Sequence, residues 1–263
     1  MRIFGIVNVT PDSFSDGGQL ASVQAAIDHA LRLEDEGAHV LDIGGESTRP
    51  GADPVAMDEE CRRVLPVIDG LARRTDAAIS IDTRKTKVAA DALSAGASIW
   101  NDVSALRDDG AVELAANSGC RVVLMHMQGD PGFMQQAPHY GDVVSEVIGF
   151  LKARLDVCAQ AGCERRRLIA DPGIGFGKTL EHNLAVFRDL ERFHDLGVDL
   201  MLGASRKRFI AALDRDGSAE DRLGGSLAAV LRGAQAGIDW CRVHDVKATR
   251  QALAVASRVR RTT

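Results

Sequence analysis

One unit recurs eight times along this 263-residue chain, and that recurrence restricts the fold more than any other property. A short aliphatic or β-branched run is followed by a polar segment bearing Gly, Asp or Asn, and then by an amphipathic stretch. The strand candidates are residues 3–7, 39–43, 78–81, 98–100, 121–125, 168–170, 200–202 and 239–243. They are continuously apolar, as strands of a parallel sheet covered on both faces must be. Eight βα units favour a closed (β/α)8 barrel of the α/β class. An open doubly wound sheet shares the pattern, because periodicity does not report closure. No Pro/Gly/Ser-rich linker, low-complexity tract or repeat breaks the chain, so residues 1–263 read as one domain, a length that such barrels fill with one core.

The helical stretches carry start and stop signals. Val144, Val147, Ile148, Leu151, Leu155 and Cys158 keep helical spacing after Asp142, a candidate N-cap, and Gly162 is placed to end that helix. Ser218 is expected to cap a helix whose apolar face includes Leu223, Leu227, Val230 and Leu231, and Gly37 and Gly237 to end two others.

Composition excludes several classes of partner. A formal charge of −5 offers no broad basic surface for nucleic acid or an anionic membrane, so an anionic ligand must be met by a local cluster of Arg and Lys. The five cysteines lack the close pairing of zinc ribbons and read as ordinary thiols of a reducing compartment. The apolar run at the N-terminus is too short for a signal peptide, and no stretch approaches the roughly 18 residues that cross a bilayer. The expected location is the cytoplasm.

What favours the barrel over the open sheet is where the polar groups fall. Catalytic groups of barrel enzymes sit at the C-terminal ends of the strands. Here those ends carry Asn8, Asp42, Asp82, Asn101, His126, Asp171, Ser205-Arg206-Lys207 and Arg242 with His244. Singly, each has a structural alternative. Asp42 could orient the next loop as readily as bind a ligand, Asp82 could cap the helix that follows, and His126 between two methionines suits a structural histidine. His29, His39, His139, His182 and His194 fall at no strand end and read as surface or structural. Lys207 at a strand end could form a Schiff base as in an aldolase, but the flanking arginines suit contact with an anion or acceptor better.

Three longer segments add detail. Residues 8–18, N-V-T-P-D-S-F-S-D-G-G, form a polar loop with an aromatic, suited to closing over a ligand. Residues 42–51, D-I-G-G-E-S-T-R-P-G, form a second loop with a cation, and residues 171–178, D-P-G-I-G-F-G-K, combine a carboxylate with an aromatic on a glycine-rich turn. Neither dinucleotide-binding nor phosphate-loop glycine motifs occur in their required context.

Together with N-D-V-S at 101–104, M-H-M-Q-G at 125–129, G-A-S-R-K at 203–207 and R-V-H-D-V at 242–246, these segments resemble the dihydropteroate synthase family in order and spacing, across the chain from Ile3 onward. One departure is that the first strand begins almost at Met1, where relatives usually carry a segment covering the bottom of the barrel. The resemblance implies condensation of 6-hydroxymethyl-7,8-dihydropterin diphosphate with p-aminobenzoate, releasing pyrophosphate in folate biosynthesis, with sulfonamides as inhibitors, and it implies a homodimer. Asp82, Asn101 and Asp171 would read the pterin edge, since carboxylates and amides can pair with an amino-pyrimidinone, with Lys207 donating to the ring and Met125 as lining. Asn8, Arg49, Arg242 and His244 would take the diphosphate. By similarity Asn8 would also bind Mg2+. Phe14, Thr48, Pro50, Phe176 and Ser205 would hold the aromatic amine, and Asp12 would order the first loop. Asp82, Lys207, Arg242 and His244 are thus the catalytic candidates. Two rivals share a pterin pocket: a methyltransferase domain, expected to lack the Arg49, Arg242 and His244 set, and a pterin-binding relative without turnover.

Overall fold

The computed structural model describes residues 1–10, 18–47, 51–130 and 132–259. Eight strands, β1 (Arg2–Asn8), β2 (Val40–Gly44), β3 (Ala78–Asp82), β4 (Ile99–Asp102), β5 (Arg121–Met125), β6 (Leu168–Asp171), β7 (Asp199–Leu202) and β8 (Trp240–Val243), run parallel in chain order and close β8 onto β1. The helices are α1 (Gly18–Glu36), α2 (Met57–Ala72), α3 (Thr86–Ser94), α4 (Ala111–Ser118), α5 (Val143–Gln160), α6 (Leu180–Arg188), α7 (Arg208–Leu213), α8 (Leu223–Gln235) and α9 (Val246–Val259). Closure settles the choice that periodicity left open, in favour of the (β/α)8 barrel.

Strand side chains alternate between two apolar environments. Outward residues such as Ile3, Val7, Leu41, Ile43, Ile81, Leu124 and Leu200 lie in the layer beneath the helices. Inward, every strand contributes to one plug: Phe4, Val40, Ile99, Val123, Ile169, Met201 and Trp240, with Ala78 packed against them. Because side chains on a strand repeat every second residue, the next inward position is two residues on. There Val40 gives way to Asp42, Ile99 to Asn101, Ile169 to Asp171 and Trp240 to Arg242. The four come from alternate strands, the layering characteristic of barrels of this kind. The apolar plug therefore ends at one level and a polar layer begins directly above it.

Within the plug, Trp240 meets the Phe4 ring edge-on at 5.2 Å, and the Arg2 guanidinium lies 3.5 Å from the indole centroid. Asp199 accepts from Trp240 Nε1 (3.0 Å), Arg121 Nη2 (2.6 Å) and Arg2 Nη2 (3.2 Å). The lower end is thus filled by the strands' own side chains.

Asp142 caps α5, accepting from the amides of Val144 and Ser145, and Gly37, Gly162 and Gly237 all take positive φ after their helices, as expected. The cap at Ser218 is a correction. A single 3-10 turn at Glu220–Arg222 stands between Ser218 and α8, so the residue before α8 is Arg222, and the Ser218 amide donates to Asp221 Oδ2 (3.1 Å) within that turn. The buried face of α8 is also different: Ser226, Ala229, Val230 and Gly233, with Leu223 exposed. Small residues win because the helix lies close in. A Cβ on Gly233 would fall 2.8 Å from Leu202 and one on Gly225 2.3 Å from Ile210.

Removing the indole at the floor leaves a void among neighbours that cannot collapse around a closed barrel. Trp240→Ala is expected to lower stability by about 3–5 kcal/mol in a denaturant titration, whereas a cost under about 1 kcal/mol would show that the lower plug contributes little.

Candidate active site

The polar layer is joined by a continuous chain of contacts. Asp42, fully buried, accepts through Oδ2 from Arg242 Nε (2.6 Å) and Asn101 Nδ2 (3.1 Å), while Arg242 Nη2 donates to Asp82 Oδ2 (2.6 Å). One guanidinium thus joins β2, β3 and β8, and the amide extends the row to β4. Charge-assisted bonds of this length are strong and fix the fork's orientation. Asp82 is not a cap, because α3 begins at Thr86 with Lys85 before it. Burial pushes the Asp82 carboxyl up to about 7 despite the attraction of Arg242, with Asp42 adding like-charge repulsion.

Two glycines stand beside these carboxylates. Gly44, in register with Asn8 and Asp82, would set a Cβ 3.6 Å from the Asp82 side chain, and Gly203 would set one 3.4 Å from Asp171 Oδ2. Asp171 is itself buried, and burial raises its carboxyl against the pull of Lys207 and the Gly173 amide, which donates to Oδ1 (2.7 Å). Lys207 donates to the Ile174 carbonyl, and its Nζ stands 4.5 Å from the Phe176 ring centroid. Burial lowers its ammonium to about 8, partly offset by Asp171. Met125 packs with Val103, Met127 and Met134, and Phe176 lies against that cluster.

Between β7 and β8 the Ser205 hydroxyl lies 3.0 Å from His244 Nδ1 and accepts from the His244 amide (3.2 Å). Arg206, at φ +58°, grips Asp245 with two bonds of 3.0 and 2.7 Å. Ser205 is therefore tied to His244. Asn8 closes β1, half-buried. Asp12, Phe14, Thr48, Arg49 and Pro50 lie outside the described residues.

The structure therefore gathers Asp82, Asn101, Asp171, Lys207, Arg242, Met125 and Phe176 at one mouth, with Ser205, His244 and Asn8 at the ends of β7, β8 and β1. Sequence reasoning gave no settled role to Asp42 and none to Glu46 or Lys178. Asp42, left open between loop orientation and binding, is the centre of the ion network. Glu46 accepts from Arg84 (2.6 Å), from Lys85 and from the Val55 amide (3.4 Å), and so secures both ends of the second loop. Burial alone would raise its carboxyl, but Lys85 and Arg84 carry it below the usual range. Lys178 is buried beside His126. The only sequence signal for these was a charged residue inside an otherwise recognisable loop.

A family model described as pterin binding enzyme matches residues 4–244. A curated relative, the dihydropteroate synthase of Escherichia coli K12, is 46% identical over 254 residues, 97% of this chain and 90% of that protein. The chain belongs to the dihydropteroate synthase family. Among solved structures of dihydropteroate synthases, that of Xanthomonas albilineans with 4-aminobenzoic acid is 51% identical, with a TM-score of 0.93 over 98% of this chain and 92% of that one. A complex of the enzyme from the same organism with 7,8-dihydropteroate is 47% identical, with a TM-score of 0.89 over 98% and 93% of the two chains.

A carboxyl with a raised pKa favours the folded state when protonated, so the Asp82 contribution is fully present below its unfolded value and is lost as pH rises towards about 7. Asp82→Asn is expected to lose less stability than the wild type between pH 5 and pH 7 in denaturant titrations, whatever pH-independent offset the substitution adds. Parallel stability profiles would mean that Asp82 is already ionised throughout that range.

Proposed function

We infer that this chain catalyses the family reaction, joining 6-hydroxymethyl-7,8-dihydropterin diphosphate to p-aminobenzoate with release of pyrophosphate. The observation that carries the reading is the arrangement at the mouth. Asp82, Asn101 and Asp171 line a buried rim directly above an apolar floor, with Arg242 fixed between two carboxylates and Lys207 beside an aromatic ring. A flat amino-pyrimidinone offers donors to carboxylates and an acceptor to a lysine, so Asp171, Asp82, Asn101 and Lys207 would read the pterin, with Met125 against its face.

Two of the three Arg242 nitrogens are taken by Asp42 and Asp82, which fixes the guanidinium and leaves Nη1 as the nitrogen that would meet the diphosphate. His244 and Asn8, and Arg49 from the second loop, complete the anion site. The diphosphate C–O bond breaks ahead of amine attack. Its electron pair leaves with pyrophosphate, and the pterin methylene becomes cationic beside Asp82 and Asp171. The amine nitrogen then bonds to that carbon and loses a proton to solvent. An aromatic amine is neutral at pH 7, so no strong base is required. Phe14, Thr48, Pro50, Phe176 and Ser205 hold the amine, and Asp12 orders the closing loop.

Among the described residues no group of three or more His, Cys, Asp or Glu side chains could hold a metal ion. An amide oxygen at Asn8 nevertheless suits Mg2+, which binds through one or two protein ligands and otherwise through phosphate and water. When bound there, the ion would neutralise charge on the departing diphosphate. The family resemblance also carries a homodimer and cytoplasmic residence. No helix among the described residues is long and apolar enough to cross a membrane.

Pyrophosphate release measured with both substrates tests the reaction, and pterin binding without release would mark a non-catalytic relative. Asp171→Asn is expected to weaken pterin binding by about tenfold or more with the fold retained, and unchanged affinity by calorimetry would remove Asp171 from the pocket. Arg242→Ala is expected to slow turnover by about 100-fold and to cost about 3–5 kcal/mol of stability, because Asp42 and Asp82 are left buried without their cation. Wild-type kinetics would take Arg242 out of the anion site.

A further inference from the structure

The turn from Gly173 to Lys178 crosses the mouth as irregular backbone, yet five consecutive carbonyls in it each meet a side-chain donor. Lys178 Nζ donates to Gly173 O (3.0 Å) and Phe176 O (3.2 Å), Lys207 to Ile174 O, Gln135 to Gly175 O (2.6 Å) and Tyr140 to Gly177 O (2.7 Å). The amide of Gly175 donates in turn to Asn183 (2.7 Å). The turn is also pressed against the segment after β5. Gly173 (φ +69°) would place a Cβ 1.9 Å from the His126 carbonyl, and Gly177 (φ +58°) would place one 2.4 Å from that of Gln128. Only glycine can stand at either position.

Lys178 has the central place in this arrangement. It is 3% exposed, and besides its two carbonyls its Nζ lies 2.8 Å from His126 Nδ1. Burial and the neighbouring Lys178 charge push the imidazole down to about 2, so the ring is neutral and Nδ1 can accept. The ring is held by edge-on contact with Phe150 at 5.0 Å. One buried lysine side chain therefore fastens both ends of the Gly173–Phe176 turn to the histidine that follows β5. The single aromatic of that turn, Phe176, is the ring that Lys207 faces at 4.5 Å.

We propose that Lys178 is a positioning residue for the aromatic-amine half of the site: through the Gly173 and Phe176 carbonyls and His126 it sets the Phe176 ring against Lys207, while itself touching neither substrate. The proposal rests on the reading above that Phe176 contacts the amine. Lys207 keeps its bond to Ile174 and, with the Gly173 amide, acts on Asp171 more strongly than Lys178 does, so loss of the Lys178 anchor frees the ring more than it disturbs the pterin pocket.

The test compares Lys178→Met with Phe176→Ala and the wild type by steady-state kinetics, pterin calorimetry and thermal melting. Phe176→Ala should raise KM for p-aminobenzoate, and an unchanged KM would overturn the reading of Phe176 itself. Given that rise, Lys178→Met should raise the same KM by about tenfold while pterin affinity stays within about twofold. A parallel loss of both affinities with a lowered melting point, or an unchanged KM, would overturn the proposal and leave Lys178 with a structural role. Should the Met variant fail to fold, Lys178→Gln, which keeps one donor, is judged by the same split between the two substrates.

Discussion

Arg242 lies between Asp42 and Asp82 with contacts of 2.6 Å to each, inside a barrel whose floor is hydrocarbon and indole. Three charges at the edge of a low-dielectric core are costly unless each is paired and hydrogen-bonded. That requirement governs much else in the mouth. Asn101 turns its amide towards Asp42, and β8 brings Arg242 within reach of the carboxylates of both β2 and β3. The barrel's register satisfies this because inward residues recur every two positions on each strand. Two steps up from the plug on β2, β4, β6 and β8 lands on Asp42, Asn101, Asp171 and Arg242.

Such a layer is rigid, and rigidity suits a reaction in which charge departs from one side and a neutral nucleophile arrives on the other. A guanidinium already fixed by two carboxylates loses no side-chain entropy on meeting a diphosphate. A lysine made less basic by burial, close to Asp171 and an aromatic ring, can sit beside a flat heterocycle without a full shell of water. The glycines at 44 and 203 place no side chain beside these carboxylates.

The glycine-rich turn after β6 solves a different problem. Irregular backbone near a barrel mouth carries polar groups that helices and strands would have satisfied. Here side chains from the neighbouring segments satisfy them one by one, with buried Lys178 meeting two. The second loop is secured by similar means at its base, where Glu46 meets Arg84, Lys85 and the Val55 amide. In both places the group that holds the loop is charged and partly or wholly buried, and it lies next to residues that read as ligand contacts.

The eight strands, the cap at Asp142, the glycine stops and the candidate residues at strand ends were legible in the sequence, because periodicity, capping and φ preference are local properties of a few adjacent residues. The Ser218 cap failed for a related reason: a competing 3-10 turn and a face of small residues depend on how closely α8 approaches the barrel. Closure itself, and the choice of partners, could not be read. Arg242 and Asp42 are separated by 200 positions and Lys178 and His126 by 52. Which strand ends face each other is set by the register of eight strands closing together. The sequence determined which groups stand at the rim, whereas the tertiary structure decided which of them are buried together, and burial with its partners fixes their charge, their orientation and therefore their chemistry.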